Sequence, residues 1–217
     1  GRGGCIYCNN SAFSPAYCHE AGSISAQVEE GKKFFARKYP NMQYLAYFQA
    51  YTSTHAPLSE LIKAYEEAMC CDGVCGLVIG TRPDCMPDEL LSFLQEVKRH
   101  RMPVIVEYGV ESLHNDTLRL INRHHDSDCA RQAVERTAAT GIDVGLHLIM
   151  GLPGEDIKMM MHTVDEVSRW PVSILKFHQL QIVKGTPLHT LWLAQQRGES
   201  TPGFPKISTF ALDEYLH

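Results

Sequence analysis

At 217 residues, 44% hydrophobic and 21% charged, the chain has the size and composition of one ordinary globular domain with its own core. A formal net charge of −5 gives no global basic footprint, so nucleic acid is not indicated as a partner and would require a local patch. No apolar run approaches the ~20 residues that cross a bilayer and no signal-peptide pattern is present, which points to a cytoplasmic protein with no membrane partner.

The chain opens on Gly1-Arg2-Gly3-Gly4-Cys5-Ile6-Tyr7-Cys8-Asn9-Asn10, a glycine-rich, turn-prone segment with two cysteines two residues apart. Such a turn lets two thiolates converge on one metal centre. By itself the pair fits half a zinc site, a thioredoxin-like redox pair or part of an iron–sulfur site. The redox pair is disfavoured because the motif is not poised between a strand and a helix. A zinc site lacks a second clustered pair, since Cys70, Cys71 and Cys75 have the wrong spacing and an apolar setting. Cys18, in Tyr17-Cys18-His19-Glu20, belongs to a different local pattern.

Strand and helix then alternate. Ile24, Val28, Phe34 and Phe35 predict a helix over 23–39, ended by Pro40, and the aromatic-rich 44–51 predicts a strand. Leu58, Leu61, Ile62, Tyr65 and Met69 share a 3.6-period face after Pro57, and Gly73 ends that helix before a short apolar strand over 74–80. From Pro87 a helix carries Asp88 and Glu89 in its first turn and Lys98, Arg99 and Arg101 at its end, which suits the helix dipole. A strand over 103–110 follows. Asn115 or Asp116 is expected to cap a short helical turn to Ile121, and Ser127 or Asp128 a longer helix to Thr140, stopped by Gly141. Strand 142–150, helix 156–170, strand 172–183 and helix 187–196 complete the pattern. Residues 1–197 read as one core, and 198–217, rich in Gly, Ser and Pro at its start, as a C-terminal extension. Nearly continuous apolar strands joined by helical crossovers imply an α/β fold with a parallel sheet, either open or closing as a barrel.

The strands carry polar residues where a barrel is normally filled with branched aliphatic side chains. Alternation places Glu107, Gly109 and Glu111 on one face, Gly145 and His147 on one face, Lys176 and His178 on one face, and Tyr47, Gln49 and Tyr51 on another. Unpaired buried charge is costly, so the set implies a lined cavity, mutual pairing, or both. Four loops at the C-terminal strand ends, Thr52-Ser53-Thr54-His55, Thr81-Arg82-Pro83-Asp84, Glu111-Ser112 and Gly151-Leu152-Pro153-Gly154-Glu155, lie where βα folds bind ligands.

Together, GRGGCIYCNN at 1–10, YFQAYTSTHAP at 47–57, IGTRPDCMPDELL at 79–91, EYGVES at 107–112, LINRHHD at 120–126, HLIMGLPGED at 147–156 and KFHQLQIVKGTPL at 176–188 resemble the radical SAM superfamily, and within it the YhcC-type and elongator catalytic-subunit-like proteins. The resemblance implies a partial (β/α)6 TIM-like barrel with a [4Fe-4S] cluster held by three cysteines. Cys5 and Cys8 match the second and third of these. The first ligand, its loop and the first strand would precede residue 1. It also implies S-adenosylmethionine as cofactor, cleaved to a 5′-deoxyadenosyl radical that abstracts hydrogen from an unknown substrate, and an external electron donor of flavodoxin or ferredoxin type. Tyr7 matches the aromatic whose backbone lies near the adenine. Gln49, Thr52 and Thr54 match the loop at the methionine end, although the usual Gly-Gly-Glu is absent. Glu111 and Ser112 match ribose contacts, and Ile149, Gly151 and the segment from Leu180 match the adenine-side backbone. Glu107, His147, Lys176 and His178 would face the substrate as catalytic residues.

Simpler roles are expected elsewhere. Arg82 and Asp84 read as an ion pair that fixes their loop, Arg123, His124 and His125 as caps of helix ends, and Cys70, Cys71, Cys75, Cys85 and Cys129 as buried or half-buried thiols. Cys18 stands as a candidate hydrogen donor. Two rival readings remain open: a tRNA-modifying radical SAM enzyme, and a non-catalytic or zinc-binding barrel module.

Overall fold

The computed structural model describes residues 3–9, 22–36, 42–49 and 52–210. Cys18, Tyr51 and the last seven residues of the chain lie outside the described residues. Five strands, β1 (Tyr44–Phe48), β2 (Val74–Thr81), β3 (Val104–Glu111), β4 (Asp143–Met150) and β5 (Ile174–Gln179), form one sheet in chain order, with every pairing parallel. The sheet curls into a half-barrel. Seven α-helices are described, α1 (Ile24–Ala36), α2 (Leu58–Met69), α3 (Asp88–His100), α4 (Asn115–Leu120), α5 (Ser127–Ala139), α6 (Ile157–Val167) and α7 (Pro187–Gln196), with one 3-10 turn at Pro83–Cys85.

The two faces of the sheet differ because the side-chain period is two. Ala46, Leu77, Ile79, Val104, Val106, Tyr108, Val110, Val144, Leu146 and Leu148 turn outward into the main core. Leu61, Tyr65, Ala68 and Met69 of α2, and Leu90, Leu91, Leu94 and Val97 of α3, meet them there. Two buried hydroxyls find partners inside this layer: Tyr108 with Thr137 at 2.7 Å, and Tyr65 donating to the Ser53 carbonyl at 2.7 Å. The alternate residues face the concave side, and Tyr47, Glu107, His147, Lys176 and His178 are among them.

The concave side is crowded beneath its long side chains, and glycine makes the room. A Cβ on Gly145 would lie 2.9 Å from Glu107 Cγ, the residue opposite it in register. A Cβ on Gly109 would lie 2.5 Å from Arg123 Nη2. Past Gly109 the β3–β4 register shifts, and Glu111 takes φ 68°, a conformation that costs a bulky residue about 1–3 kcal/mol.

The elements match the sequence pattern to within a few residues, with two corrections at helix starts. Asp126, one residue ahead of the expected caps, caps α5: its carboxylate accepts from Cys129 N at 2.8 Å. Asn115 does not cap α4, which begins after His114. Its Oδ1 accepts from Ser127 N at 2.9 Å and ties α4 to α5. Strand β5 stops at Gln179, short of the expected 183, because Leu180 turns into a second apolar cluster with Leu118, Ile121, Ile149, Leu152, Leu188 and Ile207. Residues 198–210 hold no helix or strand, yet Gln195 binds the Pro205 carbonyl and the Ile207 amide, both at 2.9 Å, and seats Ile207 in that cluster.

Candidate active site

The concave face and the C-terminal strand ends enclose a chamber of about 890 Å³, within the range of cofactor sites. Its wall is organised around Glu107, only 2% exposed at the middle of β3. Three other strands of the sheet each send one group to its carboxylate. Tyr47 of β1 donates its hydroxyl at 2.6 Å, His147 of β4 approaches through Nε2 at 2.9 Å, and Lys176 of β5 places Nζ at 2.6 Å and 2.8 Å from the two oxygens. Burial alone would raise the Glu107 pKa. The hydrogen bonds from His147, Lys176 and Tyr47 outweigh it and bring the value down to about 2. The Lys176 ammonium also lies 5.0 Å from the centroid of the Tyr47 ring. His147 Nδ1 in turn meets His178 Nε2 at 2.8 Å, the two rings nearly parallel.

A second polar knot lies at the strand ends. Arg123, in the loop between α4 and α5, reaches back across Gly109. Its Nη2 meets Glu111 Oε1 at 3.2 Å and the Gly109 carbonyl, its Nη1 meets Cys5 Sγ at 3.4 Å, and its Nε donates to His125 Nε2 at 3.0 Å. Arg123 and Glu111 each leave only 10% of the side chain exposed. Burial would lower the arginine's pKa, but the charge of Glu111, with Tyr7 and Cys5, raises it instead, so the cation is held firmly. Tyr7, beside the same groups, is pushed well up, first by burial and then by Glu111.

The same loop straps the cysteine turn in place. Cys8 N donates to Cys5 O at 3.1 Å, which closes the Cys-X-X-Cys turn. Asn122 Nδ2 holds the Gly3 and Gly4 carbonyls at 2.9 and 3.0 Å, His124 Nε2 meets the Gly3 carbonyl at 3.0 Å, and Ile6 bonds the backbone of Ile121 and of Leu188. Ile6 and Tyr7 pack on the second apolar cluster. Asn122 and His124 adopt φ 59° and 63° to do this, a left-handed region that both residue types enter more readily than most non-glycine residues.

Most of the residues singled out from sequence converge here. Cys5, Cys8, Tyr7, Gln49, Thr52, Glu107, Glu111, His147, Ile149, His178 and Leu180 all line the chamber, and Lys176 reaches its wall through Glu107. Three do not line it. Thr54, buried beneath the first loop, bonds Thr81 at 2.6 Å and the Cys85 carbonyl. Ser112 bonds Glu155 of the Gly151–Glu155 loop and accepts from His114 N. Gly151 sits at φ 83° with the Phe210 ring where a Cβ would be. A second hollow of about 920 Å³ lies alongside, next to Thr54, His55 and Cys85. Its charged residues, Arg82 and Asp84, form the expected ion pair and satisfy each other.

Sequence reading missed Arg123, His124 and Asn122 as site residues. Asn122 and Arg123 do close the C-terminal end of α4, their backbone amides donating to the Arg119 and Leu118 carbonyls at 3.1 and 2.9 Å, while their side chains, with that of His124, also hold the cysteine turn. The available signal was Asn122 just past the short helix, after glycine among the residue types best suited to a left-handed turn, followed at once by an arginine.

A family model described as Radical SAM superfamily matches residues 2–167. The chain belongs to the radical SAM superfamily. Protein YhcC of Escherichia coli (strain K12) is 39% identical over 194 residues, which cover 89% of this chain and 62% of that protein. YtqA of Bacillus subtilis (strain 168) is 38% identical over 187 residues, covering 86% and 58%. The chain thus spans about three fifths of the length of these relatives. A solved structure of the archaeal Methanocaldococcus infernus Elp3, with residues 1–46 deleted, shares the fold. Its TM-score is 0.63 at 22% identity, over 82% of this chain and 45% of that one.

Radical SAM membership implies a [4Fe-4S] cluster and S-adenosylmethionine. The residues present fit part of that set. Cys5 and Cys8 carry soft thiols of the kind that hold iron–sulfur clusters, closed into one turn, half-buried and open to the chamber. Among the described residues no group of three or more His, Cys, Asp or Glu gathers as a metal site. No helix among the described residues is long and apolar enough to cross a membrane.

Proposed function

We propose that the chain is the barrel core of an iron–sulfur enzyme that reductively cleaves S-adenosylmethionine to methionine and a 5′-deoxyadenosyl radical, which abstracts hydrogen from a substrate seated on the Glu107 wall. Cys5 and Cys8 would hold the [4Fe-4S] cluster with a third ligand from outside the described residues; when bound, the cluster supplies the single electron for the cleavage, delivered by a flavodoxin- or ferredoxin-type donor. The observation that carries this reading is the convergence of both Cys-X-X-Cys residues and the polar strand ends on one chamber.

The chain's own residues would divide the work. Arg123 keeps a positive charge 3.4 Å from Cys5, offsetting the negative charge of ligating thiolates. Glu111, whose carboxylate oxygens accept hydrogen bonds, faces the chamber from a strained backbone position and is placed for the hydroxyls of a ribose. Gln49 and Thr52 stand at the methionine end, and the side chains of Ile149 and Leu180, buried in the second apolar cluster, exclude water on the adenine side. Glu107, Lys176, His147 and His178 present the substrate surface.

Anaerobic reconstitution of the full-length protein with iron and sulfide, followed by assay of 5′-deoxyadenosine release, tests this. About four irons per chain and S-adenosylmethionine cleavage are expected, and Cys5→Ala and Cys8→Ala should lose both while keeping the fold. A reconstituted wild type that binds neither iron nor S-adenosylmethionine overturns it.

A further inference from the structure

The polar wall holds more than a binding surface: its hydrogen-bond directions are fixed in sequence, from the buried end outward. Glu107 stays ionised, with its carboxylate already accepting from Tyr47 and Lys176, so it can only accept from His147. His147 must therefore carry a proton on Nε2. In the neutral ring its Nδ1 is then an acceptor, and the 2.8 Å contact there requires His178 to donate from Nε2. The remaining nitrogen, His178 Nδ1, is left as a bare lone pair. It makes no hydrogen bond among the described residues, and His178 lines the chamber on its exposed rim.

We propose that His147 and His178 form a single-proton acceptor on the chamber wall, which takes a proton from a substrate O–H or N–H at His178 Nδ1 and passes the positive charge inward to His147. This rests on the reading of that wall as the substrate-facing side. In the transfer, the substrate O–H or N–H bond breaks and its proton bonds to Nδ1. The Nε2 proton of His178 crosses to His147 Nδ1. His178 ends neutral with its proton on Nδ1, and His147 becomes an imidazolium between His178 and Glu107. No electron moves, and the total charge of substrate and pair is conserved.

The surroundings favour that end point. His147 touches the ionised Glu107 at 2.9 Å, whereas His178 stands at the rim without a carboxylate contact. Glu107 and Glu111 of β3, His147 of β4 and Lys176 of β5 act on His178, Tyr47 of β1 contributes its hydroxyl to Glu107, and Arg123 faces the same chamber. Burial and the neighbouring His147 pull the His178 pKa down, which disfavours charge on the outer ring. A second proton would place two imidazolium rings in contact, beside Lys176, so the pair takes up one. The substrate class this acceptor fits carries a hydroxyl or amine that can donate to His178 Nδ1. His178 is the catalytic residue, and His147 and Glu107 are positioning residues.

The test is a pH titration, from about 5 to 9, of iron-free full-length protein labelled with 15N-histidine. The spectra report which ring nitrogens carry protons. A single titration sensed by both rings is expected, with His178 Nδ1 bare above it and protonated below it, and His147 Nε2 protonated throughout. In Glu107→Gln, removal of the anion should move that titration down by about one pH unit or more. In His147→Gln, His178 should titrate alone. Two independent titrations in the wild type, or a His178 Nδ1 protonated across the whole range, would overturn the proposal. Because the readout needs no cluster, a shared titration in a protein that fails to cleave S-adenosylmethionine would sink only the enzyme reading. Cleavage with independent titrations would sink only the relay.

Discussion

Replacing Arg123 with methionine removes the cation that joins the cysteine turn to the sheet. The guanidinium has four partners: Glu111, the Gly109 carbonyl, Cys5 Sγ and His125. Methionine fills a similar volume, so the loss is electrostatic rather than a cavity. It leaves the Glu111 carboxylate, 10% exposed, without its counter-ion. Breaking a buried pair from one side costs about 3–5 kcal/mol, because the surviving charge stays desolvated. Urea unfolding of the iron-free full-length protein at pH 7 should show that loss at an unchanged m-value. Arg123→Lys should recover only part, since an ammonium keeps the charge but loses the planar fork that reaches three directions. In the double variant with Glu111→Gln the stranded charge is gone, so the two losses should fall short of additivity by about 1–3 kcal/mol. A loss below about 1 kcal/mol for Arg123→Met, or a cycle additive within about 0.5 kcal/mol, would show that the pair does not organise the loop.

Three further outcomes follow from the same geometry. The Glu107 pKa is lowered from 4.5 to about 2, so its contribution is fully present above about pH 4.5 and is lost as pH falls towards 2. That drop is worth about 3 kcal/mol, and acid melts of wild type should show a fall in stability across the window that is much shallower in Glu107→Gln. Gly145→Ala puts a methyl 2.9 Å from Glu107 Cγ, and thermal melts should report a loss of about 1–3 kcal/mol; an unchanged Tm would mean that Glu107 moves freely. Asp126→Ala removes the α5 cap and should cost about 1 kcal/mol in urea unfolding, with Asp126→Asn close to wild type.

The architecture was readable because its signals are periodic and local. Leu61, Tyr65, Ala68 and Met69 on one helix face, and the alternation of Glu107, Gly109 and Glu111, fix element type and which side is buried. Alternation alone also brought Glu107, His147, Lys176 and His178 to one wall. What it could not give was the partner list. Lys176 and Glu107 are 69 residues apart in the chain, and only the parallel register makes them neighbours. Arg123 and Cys5, 118 apart, meet through a loop whose path depends on two residues with positive φ. Thr54 and Ser112 sit in the expected loops, but their hydroxyls bond protein groups there: Thr54 bonds Thr81 and the Cys85 carbonyl, and Ser112 bonds Glu155. A motif position cannot reveal those partners.

The polar wall is hard to explain as a device for stability. A buried ionic cluster is commonly matched or exceeded in stability by apolar residues of equal volume, because desolvation offsets most of the Coulomb gain. Here the fold also keeps glycines at 109 and 145, where any side chain would collide with Arg123 or Glu107. It further holds Glu111 and His124 in left-handed backbone. All of these strained or space-making positions lie on the concave side or in the loop that straps the cysteine turn; the helix-facing side is packed with aliphatic residues, in which Tyr108 and Thr137 satisfy each other. Strain and buried charge so confined to one side are the mark of a surface shaped for an occupant. On the function proposed above, a bound molecule would meet two features: the Arg123–Glu111 pair beside Cys5, and the His178 ring at the rim.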